Sequence, residues 1–400
     1  MINLKEFIEQ NSINFFKFHF TDLFGKFCGI AYDINKINGS IFTDGITYYE
    51  KELQENIVIA PDINTIFSDP FCAQPTASVL CNVMTCGKRE FYDSRSIAKK
   101  ALDYISFTKT LEKIQFDFEI EFFIFDEIKL KIDPYISHVS FTPVDSSTNR
   151  YNNRKYCKNY PLSSLDLIHD IRSEMLSMLG EAGIKSPLCH QKITSSRHSI
   201  RVNSDNFFNT ADYIQKSKYV IHNVAHSYGK SAIFMPKPLI EEEGCSLHLY
   251  CSLLQANNEM HYMGGIKKHI KAINAFSNPM TNSYKRLMEL DDTSYDASAD
   301  IKLSFPDPSA NPYLFLAAQL MAGIDGIENK IDPKTVTEVK AATSLQEALE
   351  SLNHDRKFLL KGEVFTDQCI DYYIKMKSEE IKKLNMTTHP VEFLNYYNNF

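Results

Sequence analysis

Several common functional motifs are absent from this sequence of 400 residues. No run of eighteen apolar residues is present, so no segment is typical of a transmembrane helix. There is no G-x-G-x-x-G and no P-loop, which excludes two common nucleotide-binding signatures. There is also no C-x-x-C and no H-E-x-x-H, and the nine cysteines are an odd number. We therefore expect buried free thiols rather than a disulfide framework or a zinc site.

The charge is nearly balanced along the chain. Lys and Arg total 43 and Asp and Glu total 50, giving a net charge of −7. This gives no reason to expect a nucleic-acid or an anionic-membrane partner. The 44% hydrophobic and 23% charged contents are typical of a soluble globular protein with a large core. Charges in the first nine residues differ from the apolar start of a signal peptide, so we expect a cytoplasmic protein.

The most informative stretch is Asp117–Phe125. Its aromatic and branched residues alternate with a period of two and predict a β-strand. Glu119 and Glu121 then share one face, and the apolar residues around them share the other. Two neighbouring carboxylates are costly to bury without cations. The simpler alternative is a strand with one solvated face.

We predict a small mixed domain at residues 1–95 and a larger domain at 96–400. The boundary is marked by a predicted helix, Asp93–Ile105, capped by Ser94 or Ser96. Alternation and turn residues predict strands in the first domain at Phe15–Phe20, Lys26–Tyr32 and Ala77–Met84.

In the second domain, residues 128–160 are polar and we interpret them as a loop. A helix starting at Thr210, which is also its predicted cap, ends before Gly229. The other predicted elements are helices at Ser164–Leu179 and Asn311–Ile324, and strands at Lys192–Asn203, Ser231–Met235 and Cys245–Leu253.

Motifs along the whole chain resemble those of glutamine synthetases of the bacterial type. The matching stretches are Phe20–Lys26, Pro61-Asp62, Asp69–Phe71, Arg95–Lys99, Phe118–Phe123, Phe234–Leu239, Asn278-Pro279, Asn282–Leu287, Phe305–Tyr313 and Thr388–Phe393. The resemblance implies an α+β fold, with an N-terminal β-grasp domain and a larger domain built on a curved antiparallel sheet with helices. It also implies two stacked rings of subunits, with each active site between neighbours.

The family joins ammonia to the γ-carboxylate of glutamate, using ATP and passing through γ-glutamyl phosphate. Phosphoryl transfer of this kind needs cations to neutralise the negative charge that develops. The resemblance therefore implies ATP with magnesium or manganese, held mainly by carboxylate oxygens.

Several residues of the family pattern are present. By resemblance, Glu119 and Glu121 match the first two metal glutamates, and His248 matches the metal histidine. Asp44 matches the ammonium-binding aspartate, and Arg286 matches an arginine on the glutamate side.

Other positions of the pattern are changed. Lys192, Ser199 and Lys302 stand where the family has three further metal glutamates, so three of six metal-ligand positions differ. Tyr250 replaces a second histidine, whereas Ser252 matches a serine on the nucleotide side. We therefore predict weak or absent metal binding.

The region before the last metal-ligand position is shortened. Only Met288–Ala299 remain of a segment that in the family carries the flap and an arginine-rich loop, and they contain no arginine. Asp300 and Ser304 replace two arginines that flank Lys302 in the family pattern. The stretch with the modifiable tyrosine is also missing after Asp332-Pro333.

We hypothesise that lysines stand in for the metals. Lys192 and Lys302 would then pair with Glu121 and Glu119 directly. The alternative is that both lysines extend into solvent and have no role in the site.

Two functions follow from these changes. The first is a pseudoenzyme of this family with a binding, regulatory or assembly role. The second is an active ATP-dependent glutamate–ammonia ligase or a related carboxylate–amine ligase. A surviving nucleotide pocket rests only on Ser252 and Phe234–Leu239, which also suit simple packing. The tail Phe393–Phe400 resembles the ring-joining terminus, so a homo-oligomer of two stacked hexameric rings, a dodecamer, is the first expectation.

Overall fold

The computed structural model describes most of the chain. The described residues are 4–37, 41–50, 55–85, 93–111, 114–133, 136–144, 168–184, 188–191, 196–204, 206–239, 242–253, 258–277, 300–304, 306–336 and 341–387. The helices are α1 Leu4–Gln10, α2 Ile41–Asp44, α3 Ser94–Thr108, α4 His169–Glu181, α5 Phe207–Ser227, α6 Glu259–Asn274, α7 Pro312–Glu328, α8 Leu345–His354 and α9 Asp367–Asn385. The strands are β1 Phe15–Thr21, β2 Phe27–Asp33, β3 Ile46–Glu50, β4 Glu55–Pro61, β5 Phe67–Ser68, β6 Thr76–Thr85, β7 Ile114–Asp133, β8 Ile136–Pro143, β9 Leu188–Gln191, β10 Arg197–Val202, β11 Ser231–Ile233, β12 Leu247–Leu253 and β13 Asp300–Leu303.

The N-terminal sheet is mixed. Within the described residues its strand order is β2-β1-β6-β4-β3, with β5 paired to β6. The β1 and β6 strands run parallel, and the other pairs are antiparallel. Phe16 and Phe18, two apart on β1, lie in a core with Ile59 and Val79. The alternation of β1 thus places its phenylalanines on the covered face of this sheet.

The central sheet is antiparallel and carries the residues of greatest interest. Within the described residues its order is β13-β12-β7-β10-β9, and both β8 and β11 also pair with β7. Phe118, Ile120 and Phe122 are fully buried and belong to the largest core. Helices α3 to α9 contribute buried apolar residues to the same core. One face of β7 is therefore covered by helices, as its alternation predicts.

A buried arginine connects the two sheets. Arg95, the second residue of α3, donates from Nε and Nη2 to the two carboxylate oxygens of Asp212 on α5, at 3.0 and 2.9 Å. It also donates to Asp62 at 2.9 Å and to Asn82 at 2.8 Å, both in the N-terminal sheet region. The Tyr313 hydroxyl donates to Asp212 at 2.6 Å. We call these residues the Arg95 network, which ties the N-terminal sheet to α3, α5 and α7.

The predicted fold class, α+β, is confirmed by the mixture of helices and sheets. The predicted strand Asp117–Phe125 lies within β7, and the strand–turn–strand at Phe15–Tyr32 forms β1 and β2. The helix predicted at Asn311–Ile324 is α7, for which Asn311 is the N-cap. The domain boundary at residue 95 stays a prediction.

The interpretation of residues 128–160 as a loop was wrong in its first part. The β7 strand continues to Asp133, and β8 returns along it to Pro143 as an antiparallel hairpin. The reason is visible in the sequence, since Ile128 and Leu130 alternate with lysines in a period of two. The abundance of polar residues hid this alternation.

Two predicted helix caps were also wrong. Asp93 caps α3 in place of Ser94 or Ser96, because its carboxylate accepts from two backbone N–H groups of the first turn. Asn206 caps α5 in place of Thr210, which lies one turn inside the helix. Asp and Asn are among the strongest N-cap residues. In each helix the observed cap comes before the residue that was predicted to be the cap.

Parts of other predictions lie outside the described residues. Helix α4, from His169, covers the later part of the helix predicted at Ser164–Leu179, and β10 covers the later half of the strand predicted at Lys192–Asn203. The stretches outside the description include 145–167, 192–195 and 278–299.

The described cysteines are all free thiols, four buried and three partly exposed: Cys81, Cys245, Cys251 and Cys369, and Cys28, Cys72 and Cys189. None of the helices in the described part of the chain combines the length and apolar character that spanning a bilayer requires.

Candidate functional site

The side of the central sheet opposite the helix-covered core carries a row of carboxylates. Asp117, Glu119 and Glu121 are spaced two apart on β7 and share this side, which we call the carboxylate face. Glu119 lies opposite His248 of β12 on one side and Arg201 of β10 on the other. The strand register thus places an imidazole and a guanidinium on the two flanks of Glu119.

Glu121 is held by three groups and is only 4% exposed. The backbone N–H of Ser246 donates to its Oε2 at 3.0 Å. The Nε2 of His248 lies 3.4 Å from its Oε1, and Nη1 of Arg197 lies 3.9 Å from its Oε2. The other ring nitrogen of His248, Nδ1, is 2.8 Å from the Ser304 hydroxyl. The carboxylate therefore has a backbone donor and a permanent cation within reach.

Glu119 receives a hydrogen bond from a tyrosine. The Tyr250 hydroxyl donates to Oε2 of Glu119 at 3.2 Å, and Glu119 is 7% exposed. Burial, followed by the nearby Glu119 charge, raises the pKa of Tyr250 to about 12. The phenol therefore stays protonated at neutral pH and remains a donor. The alternative of a solvated glutamate face is wrong, since both glutamates are buried.

Two arginines on this face were missed in the sequence. Arg197 also donates to Glu243 at 2.8 Å and to the Gly244 carbonyl, which fixes its guanidinium beside the face. The Arg201 guanidinium lies over the Tyr250 ring, 4.2 Å from its centroid. The two arginines are four positions apart on β10, an even spacing that puts them on one side of a strand. That spacing is the signal by which they could have been found.

Lys302 also lies on this face. Its Cα pairs with Tyr250, and its ammonium is 5.8 Å from the centroid of the Tyr250 ring. The same tyrosine donates to Glu119. The structure therefore places Lys302 beside the hydrogen-bond donor of Glu119, on the edge strand β13.

Basic side chains accompany the carboxylates on the described part of this face. Arg197, Arg201 and Lys302 share it with Asp117, Glu119 and Glu121, and Arg197 also pairs with Glu243. Among the described residues, no group of three or more His, Cys, Asp or Glu side chains is arranged to hold a metal ion.

Of the remaining predicted site residues that the structure describes, two lie at the carboxylate face and Asp44 lies elsewhere. Ser199 is fully buried and lies opposite Glu121. Ser252 is four positions beyond His248 on β12 and so shares the carboxylate face near its end. Asp44 is exposed at the end of α2, beside the N-terminal sheet. Lys192 and Arg286 lie outside the described residues, as do Met288–Ala299 and the tail from Phe393.

The segment Phe234–Leu239 serves packing. The Phe234 ring lies 5.8 Å from Phe122 and 5.0 Å from the His222 ring, centroid to centroid. Leu239 packs against the small cluster around Phe123 on β7. These contacts give the segment a place in the core beside β7.

A family model decides the relationship. The model of the glutamine synthetase catalytic domain matches residues 91–298 and 294–396. The chain belongs to the glutamine synthetase family. Similar proteins include the glutamine synthetases of Azorhizobium caulinodans (34% identity over 459 positions), Rhizobium meliloti (35% over 457) and Salmonella typhimurium (35% over 460). Each alignment covers 98% of this chain, and 98%, 97% and 98% of the respective relatives.

Solved structures agree on the fold. A cryo-electron microscopy structure of Plasmodium falciparum glutamine synthetase matches with a TM-score of 0.86 at 22% identity, over 99% of both chains. A ligand-free structure of GmaS matches with a TM-score of 0.82 at 22% identity, over the full length of both. The glutamine synthetase fold is thus present along the whole chain.

The comparisons also indicate where this chain is shorter than its relatives. The alignment with the Azorhizobium protein has 459 positions, so at least 59 of them carry no residue of this 400-residue chain. The match to the family model breaks into two pieces that meet at residues 294–298, inside Met288–Ala299. A deletion at this point agrees with the shortening expected from the motifs.

Proposed function

We propose that this member of the glutamine synthetase family has lost the ligase reaction and acts as a pseudoenzyme with a binding, regulatory or assembly role. The observation that supports the proposal most is the set of basic side chains beside the glutamates of the carboxylate face. Basic side chains already accompany its three carboxylates within the described residues. Glutamates that already have basic neighbours gain less from binding divalent cations.

The donor set on this face does not fit a pair of divalent ions. Magnesium and manganese need about six ligands each, mostly oxygens. Glu119, Glu121 and His248 provide two carboxylates and one imidazole, and Arg197 lies 3.9 Å from Glu121. A divalent ion bound to Glu121 would also face the charge of this guanidinium. With Lys302 at a ligand position, the electrostatic repulsion rises further.

Loss of these ligands removes what the reaction requires. Transfer of the ATP γ-phosphate to the glutamate carboxylate needs positive charge at the transferred group. Family members supply it with metal ions and arginines, whereas here the basic groups are already engaged with glutamates, a carbonyl and a tyrosine ring. Removing one such electrostatic contact typically costs about 10²–10³ in rate, and several are changed.

The alternative function is an active ATP-dependent glutamate–ammonia ligase or a related ligase. One observation favours it, because Glu119, Glu121 and His248 remain together on one face with an imidazole nitrogen 3.4 Å from Glu121. Near full-length identity of about a third with bacterial glutamine synthetases points the same way. Such an enzyme would have to use ATP and a metal in a geometry that differs from the family pattern.

A phosphate-release assay separates the two functions. The full chain is supplied with ATP, magnesium or manganese, glutamate and ammonia, and the Salmonella enzyme is assayed beside it. We expect no release above that of the Glu119→Ala variant, and no stoichiometric metal binding by calorimetry. Turnover that depends on glutamate and ammonia and disappears in Glu119→Ala would establish the ligase instead.

Assembly rests on different features from catalysis. Subunit contacts depend on buried area rather than on a few ligands. We therefore propose a cytoplasmic homo-oligomer, with the dodecamer of two stacked hexameric rings as the first expectation. Mass photometry of the full chain measures the subunit number directly.

A further inference from the structure

A buried histidine far along the chain from the carboxylate face lies between two carboxylates. Nε2 of His269, on α6, is 3.0 Å from Oδ2 of Asp325 on α7. Its Nδ1 is 2.6 Å from Oδ2 of Asp355, which follows α8. His269 is 3% exposed and stacks on Phe358 with ring centroids 4.0 Å apart. One imidazole thus joins three separate segments.

The hydrogen-bond partners of Asp325 indicate whether Nε2 of His269 carries a hydrogen. Asp325 also accepts hydrogen bonds from Lys268 at 3.2 Å, Lys361 at 2.7 Å and Asn329 at 2.9 Å. Burial raises the pKa of Asp325, but the bonds from His269, Lys361 and Lys268 outweigh it and hold that pKa well below its usual range. An ionised carboxylate only accepts hydrogen bonds. Nε2 of His269 must therefore carry a hydrogen.

The same reasoning holds at the other nitrogen. The Asp355 side chain is 42% exposed, and a carboxylate oxygen accepts hydrogen bonds. At 2.6 Å it also acts as an acceptor, so Nδ1 carries a hydrogen as well. An imidazole with both nitrogens protonated is the cationic form of histidine. The geometry therefore favours an imidazolium at this position, in agreement with the raised pKa of His269.

The surrounding charges fit a cation. Lys361 also pairs with Glu328 at 2.7 Å, and the Tyr104 hydroxyl of α3 donates to Glu328 at 3.3 Å. The charged groups that face this site from the packed elements are three cations and three anions: His269, Lys268 and Lys361 with Asp325, Asp355 and Glu328. Loss of the His269 proton would leave one negative charge in excess and turn a ring lone pair toward Asp355.

Glycines bring the two helices close enough for these contacts. A Cβ placed on Gly265 would lie 2.0 Å from the Ala322 carbonyl oxygen, and one on Gly326 would lie 2.0 Å from that of His261. Neither helix could approach so closely with any larger residue. Because Gly265 precedes His269 by one turn and Gly326 follows Asp325, the close contact fixes the distance across the pair.

We propose that protonated His269 is a pH-sensitive clamp that fastens residues 355–363, and with them the start of α9, onto α6 and α7. It is not a metal site, since Asp325 and Asp355 lie on opposite ring nitrogens and do not converge on one point. The clamp is separate from the carboxylate face and does not depend on whether that face is catalytic.

The direction of the pH effect follows from the contacts. Hydrogen bonds to Asp325 and Asp355 raise the pKa of His269 against the opposing effect of burial. A group whose pKa is raised by folding stabilises the protein fully below its unfolded value, about 6.5. That contribution is lost as pH rises through the folded value. The clamp therefore contributes fully below about pH 6.5 and weakens as pH rises above that value.

Urea unfolding of the full chain between pH 6 and 10 tests the clamp. Wild type is compared with His269→Gln, Asp355→Asn and His354→Gln, the last being an exposed histidine beside Asp355 and the matched control. We expect the midpoint difference between wild type and His269→Gln to shrink as pH rises. The control should follow wild type, and Asp355→Asn should show a weaker pH dependence.

A second measurement tests the proposal even if the His269→Gln variant does not fold. The ring carbon resonance of His269 is followed by NMR in wild type and in Asp355→Asn. We expect titration above pH 6.5 in wild type and at a lower pH in the variant. A constant midpoint difference across the pH range, or titration of His269 at or below 6.5, would overturn the proposal.

Discussion

Two buried charge networks in this molecule differ in how their charges are satisfied. The Arg95 network connects the two sheets, and its arginine, Asp62 and Tyr313 all come from stretches that match family motifs. The carboxylate face also takes Glu119 and Glu121 from a matching stretch. The Arg95 network is complete within the protein, whereas we propose that basic side chains on the carboxylate face stand where metal ions would bind.

The difference lies in what each network needs. The guanidinium of Arg95 makes a bidentate contact with Asp212 and also donates to Asp62 and Asn82. All of these acceptors belong to the protein itself. A metal site is instead completed by ions from solution. When its ligands change, basic side chains can take the place of those ions without disturbing the fold. Three variants test how far this contrast holds.

The largest effect is expected for Arg95→Met. It leaves Asp212 and Asp62 without their cation, and breaking a buried pair in this way costs about 3–5 kcal/mol in the free energy of unfolding. Urea denaturation of the full chain measures it. The control is Arg356→Met, whose partners Asp367 and Asp371 are well exposed, and there we expect about 0–1 kcal/mol. Equal effects at the two positions would remove the distinction drawn for the Arg95 network.

A smaller effect is expected for Arg197→Met. Glu121 keeps the Ser246 N–H and the neighbouring His248, so the loss should be about 1–3 kcal/mol in the free energy of unfolding. If Arg197 neutralises Glu121, then Glu121→Gln should recover part of the stability in the double variant. A double-mutant cycle measures this coupling. Strictly additive effects would argue against arginine as the substitute for a metal ion.

The smallest effect is expected for Tyr250→Phe. It removes one donor from Glu119 and should cost about 0.5–1.5 kcal/mol at pH 7. Because folding raises the pKa of this phenol to about 12, its contribution is fully present below the unfolded value of about 10 and is lost as pH rises further. Tyr228→Phe, at an exposed tyrosine, is the control. Unfolding curves at pH 7 and 10.5 compare the variants, and identical curves for Tyr250→Phe and wild type would exclude this hydrogen bond.

Much of the fold was predictable because its signals are local. The alternation around Glu119 and Glu121 predicts both the strand and the shared face, and β7 has both. The hairpin at β8 was missed although its alternation is also local, because polar residues outnumber the apolar ones there. Family motifs supplied the larger arrangement that no local pattern contains.

The candidate site was predictable only in part. The resemblance predicted Ser199 and Lys302 at ligand positions, but the cations beside Glu121 and Glu119 depend on register between strands far apart in the chain. Arg197 and Arg201 lie about 80 positions from the glutamates, so their even spacing gained meaning only once β10 was paired with β7. The contact of Lys302 with the Tyr250 ring likewise depends on the pairing of β12 with β13.

The glycines between α6 and α7 have an electrostatic consequence. A methyl group at Gly265 would push the helix axes apart and lengthen the contact of His269 with Asp325, although it carries no charge itself. The acidity of that imidazole is therefore set partly by residues that have no side chain. Gly265 thus affects the pKa of His269 from one helical turn away, through the distance between the helices.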